Sequence, residues 1–456
     1  MKIGTQTDYL LLSRTLKKDE KILDSTLSVC SSCFKIIPAL IVENDKKVFL
    51  KKECCEKENV LLENDVEYYK KAVFPFVIER NFLTLGENRF SEKILQKLYD
   101  EASFIMINVT SRCNLNCPIC CAELAPNYFP RRDYPLEDIL KFIAKQKSKM
   151  ILISGGEPTV RKDLPKIIEA IVKSGNVPLL YTNGLMLTDR RYVRKLKRSG
   201  LRLVCLSFDG FDDFVYQTLR GRKLLKQKLL ALKNLKKEKM LVYLLCAVAR
   251  GLNEFQVKLI VEFAKRNSDF IRGVRFSPLY PKEGENERAT PSDVIKTIKF
   301  YFPMVSEEDF IESRRFFYNL YRTTRKLSKK LGKNFSYLLQ ESMYIYLKVK
   351  NNKIEPVFSS TYLKKVNRVL ESFIMEKSKI RSFFILLKIL PYLLSKDLLR
   401  LSMVSLKNLF VMPRASIFTP KDIFILKVGD LIFTKLEDTR RKFFGEGALL
   451  FLEPYQ

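Results

Sequence analysis

Three cysteines in one short loop carry the clearest chemistry in this sequence. Cys113, Cys117 and Cys120 follow a short apolar run, Phe104–Val109, in the stretch FIMINVTSRCNLNCPICCA. Their spacing, C-x3-C-x2-C, places three thiolates close enough along the chain to bind a single metal centre. Iron–sulfur clusters are held by cysteine thiolates, and four is the usual number of ligands. Three ligands from one loop therefore predict a cluster with one iron left open to a substrate or cofactor.

Apolar runs typical of β-strands alternate with helical segments, beginning with the run that precedes this loop. The predicted strands are Phe104–Val109, Met150–Ser154, Val177–Tyr181, Leu203–Phe208, Leu241–Val248 and Ile271–Phe276. The predicted helices include Leu136–Gln146, Leu164–Lys173, Lys223–Lys237 and Glu254–Arg266. Repeated strand–helix units of this size predict an α/β fold with a parallel, partial (β/α)6 barrel. In such barrels the functional groups lie at the C-terminal ends of the strands.

Polar and glycine-rich motifs follow three of these strands at their C-terminal ends. The second strand ends in SGGEP, the third in YTNG and the fourth in SFDG. The candidate binding residues in these motifs are Gly155, Gly156, Glu157, Asn183, Ser207 and Asp209. Glycine lets the backbone approach a ligand closely, although each motif by itself also fits an ordinary turn. Their occurrence at consecutive strand ends favours one shared binding site.

Together, the cysteine triplet and these motifs resemble the radical S-adenosylmethionine (SAM) superfamily. The resemblance implies that Cys113, Cys117 and Cys120 hold a [4Fe–4S] cluster whose open iron binds SAM. It also implies that the GGEP motif orients the methionyl end of SAM and that polar residues at the next two strand ends hold the remainder. Ile119 is expected to give the adenine an apolar wall.

A second group of cysteines lies near the N-terminus. The candidate metal ligands there are Cys30, Cys33, Cys54 and Cys55. The segment between the two pairs predicts two strands that turn at Asn44-Asp45, and the whole pattern is typical of a zinc-ribbon or rubredoxin-like module. Zinc, a single electron-transfer iron and no metal are the three alternatives. Because adjacent cysteines seldom bind one ion together, the fourth ligand stays open, with Cys121 as a further candidate.

Composition limits the classes of chemistry and of partner. The chain has 456 residues, a net charge of +31 and no histidine. Histidine triads and histidine metal ligands are therefore excluded. The charge favours an anionic partner, either nucleic acid or membrane headgroups, and the alternative is a solvated basic surface.

The ten cysteines all lie at or before Cys246, and no basic-plus-apolar signal segment opens the chain. We therefore expect a cytosolic protein whose cysteines bind metal or lie in the core, rather than a disulfide framework. Cys205 and Cys246 fall inside predicted strands and are expected in the core.

The sequence predicts three regions. Residues 1–100 form an N-terminal metal-binding module with a linker, residues 101–282 form the barrel, and residues 283–456 form a helical lid or substrate region. In the last region, segments 291–332 and 361–412 have helical patterns. The most apolar part, residues 381–412, contains too many charges to span a bilayer and predicts a lid or an interfacial helix at a membrane surface.

From about Thr26 to about Leu279 the chain is similar to one group of the superfamily, which contains the tetraether lipid synthases and the pterin methylase of methanopterin biosynthesis. The resemblance implies hydrogen abstraction from an unactivated carbon, with an anionic membrane lipid as the candidate substrate and a separate electron donor protein. Relatives carry further cysteines near the C-terminus, whereas residues 424–456 here contain neither cysteine nor histidine. The alternatives are an RNA-modifying radical SAM enzyme, for which no RNA-binding motif is evident, and a catalytically degenerate cluster-binding partner protein.

Overall fold

The structure is a computed structural model, and two sheets organise the part of the chain that it describes. The described residues are 6–30, 36–72, 104–120, 133–146, 150–279, 288–331, 343–376, 423–428 and 448–450, together with residues 378, 381, 384, 385 and 387. One sheet has four strands, and the other has ten.

The four-stranded sheet is built from consecutive antiparallel strands near the N-terminus. These strands are β1 Lys21–Val29, β2 Ile36–Asn44, β3 Lys47–Glu53 and β4 Lys57–Glu63. Asp45 and Lys46 have positive φ values of 46° and 59°, which places the β2–β3 turn one residue later than predicted. Such φ values match a two-residue hairpin turn. Because strand direction alternates, Cys30, which follows β1, lies at the same end of the sheet as Cys54 and Cys55, which follow β3.

Six parallel strands in sequence order form the centre of the larger sheet. They are β5 Phe104–Thr110, β6 Met150–Gly155, β7 Val177–Thr182, β8 Leu203–Ser207, β9 Leu241–Val248 and β10 Ile271–Pro278. The prediction of six parallel strand–helix units is confirmed. Buried parallel strands read as nearly continuous apolar runs, which explains why the sequence located them.

Helices cover one face of these strands. In chain order the helices up to β10 are α1 Gln6–Ser13, α2 Val66–Ala72, α3 Leu136–Lys145, α4 Leu164–Lys173, α5 Arg190–Arg198, α6 Asp213–Arg220, α7 Leu225–Lys237 and α8 Gln256–Arg266. Of these, α1 packs on β2 of the N-terminal sheet instead. Alternate strand residues, such as Ile153, Leu180 and Leu244, are fully buried in one core with helix residues such as Ile167. Successive side chains of a strand point to opposite faces, so the intervening residues occupy the other face of the sheet.

The C-terminal region contains the predicted helices and also extends the larger sheet at both edges. Its elements are α9 Pro291–Tyr301, α10 Glu307–Leu331, β11 Met343–Lys350, β12 Lys353–Pro356, α11 Ser360–Met375, β13 Ile423–Val428 and β14 Ala448–Leu450. Strand β13 pairs with β10, and β14 pairs with β5. Strands β11 and β12 form a hairpin whose turn residues, Asn351 and Asn352, have positive φ.

Most of the predicted lid or interfacial segment, residues 381–412, lies outside the described residues. Among the helices that are described, none has the length and apolar character needed to cross a membrane.

A buried polar cluster joins the four-stranded sheet to α9. Glu63, the last residue of β4, accepts hydrogen bonds from the Ser292 hydroxyl at 2.6 Å and from the Thr290 hydroxyl. Arg288 Nη2 donates to the Leu62 carbonyl at 2.9 Å. These contacts fix the N-terminal sheet to the segment that follows the last barrel strand.

Candidate functional site

The cluster loop, residues 111–120, begins at the C-terminal end of β5 and carries the three predicted cluster ligands. Cys113 is exposed, and Cys117 and Cys120 are half-buried. The Leu115 N–H donates to Cys113 Sγ at 3.4 Å, and the Cys120 N–H donates to the Cys117 carbonyl at 3.0 Å. The three thiols thus belong to one short, folded and accessible loop, which fits the donor set of a cluster with one open iron.

Backbone contacts hold the cluster loop against the end of β6. The Gly156 N–H donates to the Thr110 carbonyl, and the Glu157 N–H donates to the Arg112 carbonyl, both at 2.8 Å. Gly155 has a φ of +134°, and a Cβ there would lie 2.1 Å from the Thr110 oxygen. A Cβ on Gly156 would lie 2.4 Å from the Arg112 oxygen. Glycine is therefore required at both positions for the loop to lie this close to the strand end.

The carboxylate of Glu157 connects the ends of β6 and β7. Glu157 is 1% exposed, and its Oε1 accepts from the Thr159 N–H at 3.0 Å, the Thr159 hydroxyl at 2.5 Å and the Thr182 hydroxyl at 2.7 Å. Its Oε2 accepts from the Asn183 N–H at 2.6 Å. Burial raises the pKa of Glu157, and these hydrogen bonds oppose the rise. Besides its predicted contact with SAM, Glu157 therefore braces two strand ends.

Asn183 connects the end of β7 to the cluster loop. Its side-chain N–H donates to Asn114 Oδ1 at 2.7 Å, and its own Oδ1 accepts from the Leu185 N–H at 3.0 Å. Gly184 follows with a φ of +81°. The YTNG motif thus forms the turn that its composition predicts, and one of its side chains also contacts the loop of the cluster ligands.

Lys228 is a site residue that the sequence analysis missed. It is fully buried, and its Nζ donates to the Asn183 carbonyl at 2.7 Å and to the Ser207 carbonyl at 2.8 Å. Burial lowers the pKa of Lys228 to about 8, while the nearby Asp209 opposes the decrease. A sequence signal existed, because Lys228 lies on the buried stripe of α7, four residues before Leu232.

Asp209 holds a second cation beside the cluster loop. It is fully buried, and it accepts from Arg220 Nε at 2.8 Å and from Arg220 Nη2 at 2.9 Å. Burial acts to raise the pKa of Asp209, but the Arg220 guanidinium outweighs burial and the pKa is lowered. The same guanidinium interacts with Cys117 and opposes the increase in thiol pKa that burial causes there. Asp209 thereby positions a positive charge against a predicted cluster ligand.

The face of the sheet opposite the helices remains partly accessible. Asn108 of β5 lies opposite Ser154 of β6. Tyr181 of β7 lies opposite Cys205 of β8, which in turn lies opposite Tyr243 of β9, and the side chains of all five residues are on this inner face. Nearer the N-terminal ends of the strands, the inner face is lined by Met106, Leu152, Leu179, Leu203 and Leu241. Leu152, Leu179 and Leu203 are buried, as in a barrel filled by its own side chains. Asn108, Ser154 and Tyr181, nearer the C-terminal ends of the strands, are half-buried and leave that end of the face accessible.

Three thiols also meet at the end of the four-stranded sheet. The Sγ atoms of Cys30, Cys54 and Cys55 all lie within 4.8 Å of one another, whereas Cys33 and Cys121 lie outside the described residues. Cys54 and Cys55 are adjacent in the β3–β4 turn, and both thiols lie near the thiol of Cys30, so all three stay candidate ligands of one ion. An all-sulfur donor set at such spacing suits zinc.

Comparisons with known proteins agree with this arrangement. Residues 107–264 match the family model of the Radical SAM superfamily, and residues 22–57 match that of the HMPTM N-terminal zinc ribbon domain. The chain is 34% identical over 317 residues to 7,8-dihydro-6-hydroxymethylpterin dimethyltransferase of Methanocaldococcus jannaschii, covering 62% of this chain and 60% of that protein. It is 29% identical over 205 residues to GTP 3′,8-cyclase of Aliarcobacter butzleri, covering 43% of this chain and 62% of that protein.

Among solved structures, native anSMEcpe with bound AdoMet is 23% identical, with a TM-score of 0.37, over 50% of this chain and 68% of that chain. The chain therefore spans about three fifths of the length of the two curated relatives that it matches.

The first of these family matches includes the cluster loop and all three strand-end motifs. A radical SAM domain implies a [4Fe–4S] cluster and SAM, and the zinc ribbon supports a metal in the N-terminal module. The three accessible thiols lie on one loop, and glycine at the end of β6 lets this loop lie against the strand. This arrangement fits a cluster with a small molecule bound next to it. The chain therefore contains a radical SAM domain, residues 107–264, preceded by a zinc-ribbon domain, residues 22–57.

Proposed function

We propose that this protein is a radical SAM enzyme that cleaves SAM reductively and abstracts hydrogen from an unactivated carbon of its substrate. One observation carries the proposal: the ends of β6 and β7 and the last residue of α6, the helix after β8, all contact the loop of the cluster ligands. Glu157 donates its N–H to this loop, Asn183 donates its side-chain N–H to it, and Arg220 interacts with Cys117. Cluster ligands and SAM-binding motifs are therefore held together as one site.

The residues of this chain bind, orient and exclude water, while the difficult chemistry belongs to the cofactors. Cys113, Cys117 and Cys120 would hold a [4Fe–4S] cluster, and that cluster would supply the one electron that reductive cleavage of SAM requires. The residues assigned to SAM are Gly155, Gly156 and Glu157 at the methionyl end, with Asn183, Ser207 and Asp209 for the remainder. Lys228 adds a buried ammonium that joins the ends of β7 and β8, because its Nζ donates to the Asn183 and Ser207 carbonyls.

The inner face is a mainly apolar wall in which Met106, Tyr181 and Leu241 stay half-buried, and this favours a substrate whose reacting part is a carbon chain. Together with the net charge of +31, this wall favours an anionic membrane lipid, reached from the cytoplasm at the membrane surface. The two curated relatives are named for a pterin and for GTP. Both of those compounds therefore belong beside lipid among the substrates to be tested.

The cluster assignment is tested by anaerobic reconstitution of the wild type and Cys117→Ala, followed by measurement of 5′-deoxyadenosine release from SAM under dithionite. We expect the wild type to bind about four irons at this site and to release 5′-deoxyadenosine. Cys117→Ala should lose SAM cleavage and keep its fold. Cys246→Ala, which changes a buried core cysteine, is the matched control and should keep both properties. Cleavage that persists in Cys117→Ala would refute the assignment.

The substrate is tested by adding anionic isoprenoid-lipid vesicles, 7,8-dihydro-6-hydroxymethylpterin, GTP or RNA to the reconstituted enzyme. Lipid vesicles should stimulate 5′-deoxyadenosine release and acquire a product. Stimulation by RNA, with salt-dependent RNA binding, would instead support the RNA-modifying alternative. A full cluster with no SAM cleavage under any condition would support the catalytically degenerate partner protein.

A further inference from the structure

A basic segment lies directly beside the cluster loop. From Arg220 to Lys228 the chain reads RGRKLLKQK, which contains five cations and no acidic residue. Arg220 and Lys228 belong to the site described above. Arg222, Lys223 and Lys226 are exposed. The segment thus presents one set of cations to the site and a second set to solvent.

Close packing places the exposed cations on the same surface as the cluster loop. Gly221 has a φ of +76°, and a Cβ there would lie 3.3 Å from the Asn116 carbonyl oxygen and 3.7 Å from Pro118 Cδ. Asn116 and Pro118 are both exposed. The chain on either side of Gly221 therefore lies against the part of the loop that surrounds Cys117.

Nothing in the described part of the chain neutralises this surface. Arg222, Lys223 and Lys226 form no ion pair with any described residue. The nearest acidic side chain in sequence, Asp213, is half-buried and accepts a hydrogen bond from the Leu225 N–H at 2.8 Å.

An exposed aromatic ring adjoins the same surface. Phe214, the neighbour of Asp213 in α6, is 66% exposed. Because Asp213 accepts a hydrogen bond from the Leu225 N–H, the first turn of α6, which carries Phe214, lies at the start of α7. An exposed aromatic side chain with a charged rim has the composition of a protein docking surface.

We propose that this basic edge, formed by Phe214, Arg222, Lys223 and Lys226, docks an acidic one-electron donor protein of the flavodoxin or ferredoxin class. The inference rests on the proposed function, because each SAM cleavage consumes one electron. The reduced donor is oxidised by one electron, and the cluster is reduced by that electron. A donor docked at this edge lies beside the loop of the cluster ligands, which is where electron transfer requires it.

The size and charge of the edge agree with this partner. Electron-transfer encounters have small interfaces, and opposite charges steer their association. A lipid surface or RNA is also anionic, but a substrate of either kind is proposed to react at the inner face of the sheet, whereas the three cations of this edge are exposed within residues 222–226. Those partners are therefore alternative outcomes of the test.

The test compares Arg222→Glu/Lys223→Glu with the wild type under two reductants. A matched control, Lys141→Glu/Lys233→Glu, makes the same change of charge at exposed positions in α3 and α7. Release of 5′-deoxyadenosine is measured with dithionite and, separately, with an acidic flavodoxin reduced by NADPH and flavodoxin reductase. Binding of the oxidised flavodoxin to the unreconstituted protein is measured by biolayer interferometry, which needs no activity.

We expect the flavodoxin-driven rate and the flavodoxin affinity of the double variant to fall about 10-fold or more. The dithionite-driven rate should stay unchanged, and the control should behave as the wild type. The wild-type flavodoxin-driven rate should also fall as salt increases, because exposed charges are screened.

Three results would overturn the docking proposal. In one, the double variant keeps its flavodoxin-driven rate and affinity, or the control loses as much. In another, the double variant also loses the dithionite-driven rate, which would place these residues in the cluster site. In the third, the double variant loses affinity for anionic vesicles or RNA but not for flavodoxin. Absence of 5′-deoxyadenosine from the wild type under dithionite would refute the proposed function instead.

Discussion

Protonation of Glu63 should make the stability of this protein depend on pH in a predictable direction. Burial raises the pKa of Glu63 to about 7 from its ordinary value of 4.5, while hydrogen bonds from Ser292 and Thr290 oppose the rise. The negative charge of Asp293 adds to the increase. Between these two pKa values the folded protein holds a proton on Glu63 that the unfolded chain has lost.

The stability contributed by this proton is complete below about pH 4.5 and is lost as pH rises through about 7. A pKa difference of about 2.5 corresponds to about 3 kcal/mol, because each pKa unit is worth about 1.4 kcal/mol. Glu63→Gln keeps an acceptor for the two hydroxyls and cannot ionise. The free energy of unfolding of the wild type, measured relative to this variant, should therefore decrease by about 3 kcal/mol across the pH range.

Urea denaturation of the zinc-loaded protein at about pH 5 and about pH 8 measures this difference. Protonation of the zinc thiolates affects wild type and variant equally, so it cancels from the comparison. Glu137→Gln, an exposed position at the start of α3, is the control and should follow the wild type at both pH values. A difference between wild type and Glu63→Gln that is the same at both pH values would refute the argument that buried Glu63 is protonated at the interface with α9.

Two further predictions concern the metal centres. Gly156→Ala should reduce iron bound at the cluster loop by at least about half, because its Cβ would lie 2.4 Å from the backbone oxygen of Arg112. Gly175→Ala, which has a positive φ but no atom within 4 Å of the added Cβ, should lower stability by about 1 kcal/mol with iron content unchanged. Equal iron loss in both variants would contradict the steric explanation. Cys55→Ser should reduce zinc bound by the N-terminal module at least about 10-fold while the iron content stays unchanged, as metal analysis of the purified protein would show. Retained zinc would show that Cys55 is not a ligand.

The sequence predicted the strands and the position of the site better than it predicted the roles of individual side chains. The six parallel strands were located because apolar runs and intervening helices are local patterns. The direction of a carboxylate is not a local property. Glu157 contacts Thr182 and Asn183, which belong to the next strand–helix unit. The brace between β6 and β7 was therefore visible only in three dimensions.

The edges of the larger sheet show the same limit. Strand β14 pairs with β5, although their residues lie far apart in the sequence. A strand of three residues, such as Ala448–Leu450, is too short for its sequence to indicate which strand it pairs with. The β11–β12 hairpin did carry a local signal, since two asparagines between alternating residues favour a turn with positive φ. The sequence also carried a local signal for Lys228, because this lysine lies on the apolar stripe of a helix.

The contacts among the site residues indicate that the proposed SAM site is held together by the chain's own hydrogen bonds. The cluster loop has no regular secondary structure, yet β6, β7 and the segment after β8 each hold it through a separate contact. Glu157 and Asp209 are buried, and their hydrogen bonds go to other site residues or to neighbouring backbone. These groups are ordered when the chain folds. Ligand binding therefore does not carry the entropy cost of ordering them. For the proposed radical chemistry this matters, because a positioned substrate carbon and excluded water are what the protein would add to the reactivity of its cofactors.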